Sequence, residues 1–89
     1  MFVGFLPKKD GQRKDLLAKT KLSRENVKCT VIIYESPFRV QKTLAQIREI
    51  FGDVEVVVCR ELTKLHEEIY RGKISEFKMT LKGEFIILL

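Results

Sequence analysis

Residues 60–68 hold Arg60, Glu61, Thr63, Lys64, His66, Glu67 and Glu68 within nine positions, directly behind the run 54–59, which is apolar apart from Glu55. A second polar cluster, Tyr34-Glu35-Ser36-Pro37-Phe38-Arg39, closes the β-branched run 28–34. Guanidinium and ammonium groups bind anions, hydroxyls hydrogen-bond polar ligands, and a carboxylate or lysine can take a proton from an acceptor hydroxyl. In open α/β sheets, ligands bind outside the carboxyl ends of the strands, where loops are free to carry chemistry. Two such loops in one small domain predict one wall of a binding cleft. Ser36 and Glu35 would stand beside the exposed N–H groups of a helix start, a setting that favours anions and polar groups. The competing reading is that Ser36 only caps the helix and Glu35 pairs with Arg39 or Arg60.

Other chemistries find no support. His66 among acids reads as a surface residue, and His66, Glu67 and Glu68 lack the spacing of a metal motif, so no metal is expected. The chain has no glycine-rich phosphate loop, Walker signature or Ser-His-Asp arrangement. Cys29 and Cys59 each lie in an apolar run without a CxxC partner and read as buried free thiols.

The positioning elements follow from periodicity. Residues 2–6 read as a strand closed by Pro7. Asp10 can cap a helix over 11–22, whose apolar face of Leu16, Leu17 and Leu22 is thin enough to make it peripheral. The run 28–34 is patterned as a strand covered on both faces. Ser36 at N-cap and Pro37 at N1 predict the start of a helix in which Val40, Leu44, Ile47 and Phe51 form one buried stripe, ended by Gly52. A strand over 54–59 follows, then a short strand over 67–73 with a turn at Gly72. Ser75 is read as capping a brief helix through Thr80, before a last strand over 85–89. The Gly83-Glu84 pair reads as a tight turn, or as a close backbone approach to a ligand. This order predicts an α/β sandwich with a mixed, mostly parallel sheet flanked by helices, its first three long strands parallel.

Eighty-nine residues allow one small domain, and 45% hydrophobic with 33% charged residues is the composition of a globular protein. No apolar run approaches the roughly 18 residues needed to span a bilayer, so no membrane partner is expected. The chain starts and stops directly on strands, which reads as a piece of a longer protein. The net charge is +5, and residues 8–28 carry the whole excess, with eight basic side chains against three acidic ones. Such a segment beside a cleft suits a polyphosphate partner such as RNA, through counterion release; its plain alternative is a solvated, lysine-rich helix.

The motifs Phe2-x-Gly4-Phe5-Leu6-Pro7, Tyr34-Glu35-Ser36-Pro37-x-Arg39, Arg60-Glu61-Leu62-Thr63-Lys64-x-x-Glu67, Arg71-Gly72 and Gly83-Glu84 occur in order over nearly the whole chain. Together they resemble the C-terminal half of the bacterial 16S ribosomal RNA (cytidine-2′-O)-methyltransferases, within the tetrapyrrole methylase superfamily. The resemblance implies a two-domain, cytoplasmic enzyme that transfers methyl from S-adenosyl-L-methionine, bound between its domains, to a ribose hydroxyl of small-subunit ribosomal RNA. Nothing here matches the glycine- and proline-rich cofactor loop of that family's N-terminal domain, so the isolated chain is expected to be folded but inactive. By the same likeness Glu35 and Leu62 line the cofactor pocket, Leu62 through its backbone, with Ser36, Thr63 and Glu84 on the same rim. Lys64 and Glu67 are the candidates for assisting loss of the hydroxyl proton. Lys14, Lys21, Arg39 and Arg60 are the candidates for holding RNA phosphates. Apolar surface left uncovered on the side of the absent domain predicts a homo-oligomer. One departure stands out: Phe38 takes a position where the family often has His. Two rival readings are a non-catalytic RNA-binding module and a methyltransferase of the same fold acting on a small tetrapyrrole.

Overall fold

A computed structural model describes all residues except 27–29, 62–64 and 66, and, at residue 26, the backbone only. Among the described residues five strands form one sheet: β1 (Phe2–Phe5), β2 (Ile32–Glu35), β3 (Glu55–Arg60), β4 (Glu68–Lys73) and β5 (Phe85–Leu88). The helices α1 (Asp10–Asn26) and α2 (Val40–Phe51) connect the first three strands, and a 3-10 turn spans Ile74–Glu76.

The sheet order is β1-β2-β5-β3-β4. β1, β2 and β3 run in one direction, as expected from the two strand–helix–strand units. The pairing is less parallel than the sequence suggests. β5 inserts between β2 and β3 and is antiparallel to both, and β4 is antiparallel to β3, which leaves β1–β2 as the parallel pair. The mixed α/β class therefore holds, while "mostly parallel" describes strand directions and not neighbour contacts. The chain reaches this central slot through the 3-10 turn and the connection after it.

Both helices lie on the same face of the sheet. Their contacts include Lys14 with Glu49 at 3.4 Å and the Arg24 guanidinium 5.9 Å from the Phe51 ring centroid. Between helices and sheet lies a closed core of Leu17, Val31, Ile33, Val40, Leu44, Ile47, Val56, Val58, Phe85 and Ile87. The α2 stripe lands as its spacing requires: Val40, Leu44 and Ile47 are buried and Phe51 half-buried. Gly52 ends the helix at φ 88°, its N–H bonded to the Arg48 carbonyl.

Four local expectations need correction. The inner stripe of α1 is Arg13, Leu17 and Thr20, all buried, while Leu22 is exposed, so this helix is a working part of the core. Ser36 makes its contribution at the α2 entry through its backbone: its carbonyl accepts from the N–H of Arg39 and of Val40, and the helix starts at Val40 after a turn. Ser75 starts no helix through Thr80. It is held by Asp53, whose two carboxylate oxygens accept from the Ser75 N–H and hydroxyl at 2.8 and 2.7 Å. Gly72 lies inside β4, not in a turn.

On the sheet's other face, Tyr34 sits between the Phe2 and Phe5 rings, with centroids at 5.2 and 5.7 Å in edge-on geometry. Ile32, Ile86, Leu88 and Val57 continue this apolar face and are half-buried. Cys59 is buried with a free thiol, as expected, and burial pushes the pKa of that thiol up; Cys29 lies outside the described residues.

Candidate functional site

The register of β5 decides where the two polar turns meet. Glu35, the last residue of β2, and Arg60, the last of β3, are both paired with Phe85, the first residue of β5. The row continues to Glu68, which pairs with Arg60 and opens β4. Two strand spacings separate Glu35 from Arg60, about 10 Å. The strand ends that lead into the two polar stretches therefore stand at one end of the sheet, on either side of the β5 entry.

At that edge a cleft of ≈ 350 Å³ is lined by Phe5, Tyr34, Glu35, Ser36, Pro37, Glu84, Phe85 and Ile86. Phe5, Tyr34 and Ile86 project from the open sheet face and give it an apolar side, while Ser36 and Glu84 give it a polar rim. Among the described residues no lysine or arginine lines it. Of the five residues expected around a cofactor, Glu35, Ser36 and Glu84 are brought together here; Leu62 and Thr63 lie outside the described residues.

Glu35 reaches the cleft in an unexpected way. Its side chain is 2% exposed and turns inward, where Oε2 lies 3.4 Å from Arg13 Nη2 and accepts from the Thr43 hydroxyl at 2.5 Å. Its other oxygen, Oε1, accepts from the Ser36 N–H at 2.9 Å. The partner is thus Arg13, not Arg39 or Arg60. Arg13 also donates to Gln46 Oε1 at 3.0 Å, to the Pro7 carbonyl at 3.2 Å and to the Thr43 hydroxyl. Four of its five N–H groups are engaged by these acceptors, which makes burial of a guanidinium tolerable.

Across the cleft, the rim is tied by a reciprocal pair. The Glu61 N–H donates to the Glu84 carbonyl and the Glu84 N–H to Glu61 Oε1, each at 2.9 Å. The Glu61 carboxylate lies against Gly83, where any β-carbon would stand 1.7 Å from Glu61 Oε1. Gly83 has φ 79° and Glu61 itself φ 52°, so backbone conformation and close approach both fix glycine at 83.

The other expected residues are spread more widely. Arg60 points to the helix-bearing face and donates to Glu68 at 3.0 Å. Arg39 is half-buried at the start of α2, and Glu67 is exposed just before β4; neither lines the cleft. Lys64 lies outside the described residues. Lys14 pairs with Glu49, and Lys21 pairs with Glu25 at 3.8 Å. Lys21 follows the start of α1 by eleven residues, about 16 Å along the axis, so the basic helix leads away from the cleft edge. With Arg13 internal, the solvent-facing surplus of this segment is smaller than its composition suggests. Sequence reasoning missed Arg13, Thr43 and Glu61 as groups that shape the cleft; the spacing of Arg13, Leu17 and Thr20 on one helix stripe was the available signal. Among the described residues no group of His, Cys, Asp or Glu could hold a metal ion, and no helix is long and apolar enough to cross a membrane.

Comparison with known proteins agrees with this architecture. The chain is 42% identical over 92 residues to ribosomal RNA small subunit methyltransferase I of Halalkalibacterium halodurans, covering 98% of this chain and 30% of that protein. It is 45% identical over 76 residues to the protein of the same name from Thermotoga maritima, covering 85% of this chain and 32% of the relative. The chain thus spans about a third of the length of these relatives. In structure it resembles the methyltransferase CobJ, with a TM-score of 0.58 at 11% identity, covering 99% of this chain and 39% of that one. The pattern of the Tetrapyrrole (Corrin/Porphyrin) Methylases matches residues 2–78, and the chain belongs to that family.

Proposed function

We propose that this chain is the C-terminal part of an S-adenosyl-L-methionine-dependent methyltransferase that modifies a cytidine ribose 2′-hydroxyl of small-subunit ribosomal RNA. The observation that carries the reading is the aromatic cleft between Phe5, Tyr34 and Ile86, walled by the Tyr34–Pro37 motif turn and the β5 entry, with Arg60 paired to the same Phe85 that Glu35 pairs to. The names of the relatives point to the RNA substrate rather than a small tetrapyrrole.

The residues present fit this cofactor. An apolar wall with two aromatic rings suits an adenine ring, and aromatic groups with a carboxylate on the rim favour a positively charged ligand. Among the described residues no cation lines the cleft, a setting that favours an uncharged or cationic group over a bare phosphate. The cofactor, when bound, supplies an electrophilic methyl group on a sulfonium. The chain's own work is then to hold the adenosyl part against Phe5, Tyr34 and Ile86, to exclude water from that wall, and to leave the open edge for the acceptor. Orientation of the two reactants supplies much of the acceleration in such a displacement. The acceptor hydroxyl must also lose its proton, and Glu67, on the same edge, and Lys64 are the candidates to take it. Lys14, Lys21, Arg39 and Arg60 remain the proposed phosphate contacts.

With this part alone the cleft has one wall, so the isolated chain binds the cofactor weakly and does not turn over. The uncovered apolar sheet face, with Phe2 and Ile69 exposed, is the surface that the rest of the protein or a second copy covers in a homo-oligomer. Ultraviolet cross-linking of methyl-labelled S-adenosyl-L-methionine to the chain tests the reading. Label is expected on Phe5 or Tyr34, and no transfer to small-subunit RNA; label elsewhere, or steady turnover by the chain, contradicts it.

A further inference from the structure

We infer that Arg13 and Thr43 are positioning residues for the cleft, acting through Glu35, and that the Glu35 carboxylate serves the turn rather than touching the ligand. The inference rests on the cleft being the cofactor site.

The network is directional. Arg13 donates to the Thr43 hydroxyl, which donates to Glu35 Oε2, and Arg13 also faces that same oxygen at 3.4 Å. With Oε2 held from the helix side, Oε1 is left aimed along the strand end, where it accepts from the Ser36 N–H at 2.9 Å. Chains of hydrogen bonds polarise one another, and a charged acceptor makes the last bond stronger. The Ser36 N–H is therefore occupied, and the peptide that begins the Ser36-Pro37 wall is held at a fixed angle. The Arg13 bond to the Pro7 carbonyl attaches the end of the β1 segment, just after Phe5, to the same guanidinium. One buried cation thus joins the two chain segments that carry Phe5 and Ser36 into the cleft.

The chemistry also limits what can replace Glu35. A glutamine has one acceptor oxygen; turned toward Ser36, it presents its amide hydrogens to Arg13 and Thr43, which are donors on that side. Thr43→Val is nearly isosteric and removes only the hydroxyl relay, and Thr43→Ser restores it.

The test uses the 89-residue chain, with amide hydrogen exchange at Ser36, urea unfolding, and titration with S-adenosyl-L-methionine. Thr43→Val is expected to lower Ser36 protection about tenfold beyond any global loss of stability, and to weaken cofactor binding about tenfold. Thr43→Ser is expected to recover both. Ile47→Val, on the same helix and outside the network, serves as a control that loosens the core without singling out Ser36. Ser36 protection that changes only in proportion to global stability, or equally in Ile47→Val, overturns the inference. If Thr43→Val does not fold, Thr43→Ser and Glu35→Gln are compared instead, and loss of Ser36 protection in both or in neither overturns it. Absence of cofactor binding by the unaltered chain would refute the cofactor reading, while the Ser36 measurement would still decide the positioning role.

Discussion

Replacing Arg13 by methionine is the sharpest perturbation this fold offers. The Arg13 and Glu35 side chains are 1% and 2% exposed, and removing the guanidinium leaves the Glu35 carboxylate buried without a counter-charge. Thr43 and Ser36 still donate to it, so its hydrogen bonds are not all lost. Breaking a buried pair by deleting one partner typically costs about 3–5 kcal/mol. A chain of this length has a total stability of roughly 4–13 kcal/mol, so Arg13→Met removes a large fraction of it. The single substitution Glu35→Leu is expected to cost a similar amount, because it strands the guanidinium. The double variant is the informative one: with both charges gone, the cost is expected to be smaller than the sum of the two by about 2 kcal/mol or more. Urea unfolding followed by circular dichroism gives all three values from midpoints at a common slope. An Arg13→Met cost under about 1 kcal/mol, the range of an exposed pair, or strict additivity in the double variant, would show that Arg13 is solvated and that the network does not exist in solution.

Other predictions address the rim and the far end of the sheet. Gly83→Ala forces a β-carbon into the Glu61 carboxylate at φ 79°; a cost of about 2 kcal/mol, or roughly 10 °C in a thermal melt, is expected. That cost should shrink in a Glu61→Ala background, and an unchanged cost there would refute the packing argument. Hydrogen bonds from the Ser75 hydroxyl and N–H hold the Asp53 carboxyl below its ordinary pKa. A group lowered in this way contributes stability above the ordinary carboxylate range and loses it as pH falls through the lowered folded value. Ser75→Ala should therefore move the Asp53 titration upward in an NMR pH series and flatten the acid-side loss of stability; an unmoved titration would contradict the bond. Phe38 is 94% exposed and lies outside the cleft lining, so Phe38→His should change stability by no more than about 0.5 kcal/mol. A larger shift in the urea midpoint would mean that the ring is packed.

The parts of the fold legible in the sequence were those that a single element encodes. The α2 stripe of Val40, Leu44 and Ile47, its stop at Gly52, and the strands around 55–60 and 85–88 follow from periodicity and glycine conformation. Strand order is a different kind of information. Nothing in residues 74–88 says that the last strand enters between β2 and β3, yet that insertion brings Glu35 and Arg60 to one edge. Arg13 was hidden for another reason. A cation among lysines on a helix reads as surface, and its burial depends on acceptors from Pro7, Glu35, Thr43 and Gln46, which lie up to 33 residues away. For the same reason the basic segment looked like a stronger RNA surface than its geometry supports. The motif turn at Tyr34-Glu35-Ser36 was placed correctly, but the direction of the Glu35 side chain was set by tertiary partners that no local pattern records.

The most direct check of the shared-edge cleft is amide chemical-shift mapping of the 15N-labelled chain during titration with S-adenosyl-L-methionine. Perturbations are expected to cluster at Phe5, Tyr34, Glu35, Ser36 and at 84–86, including in weak, fast exchange. Shifts confined to the opposite end of the sheet, around Thr30, Glu55 and Gly72, would contradict the assignment of the site.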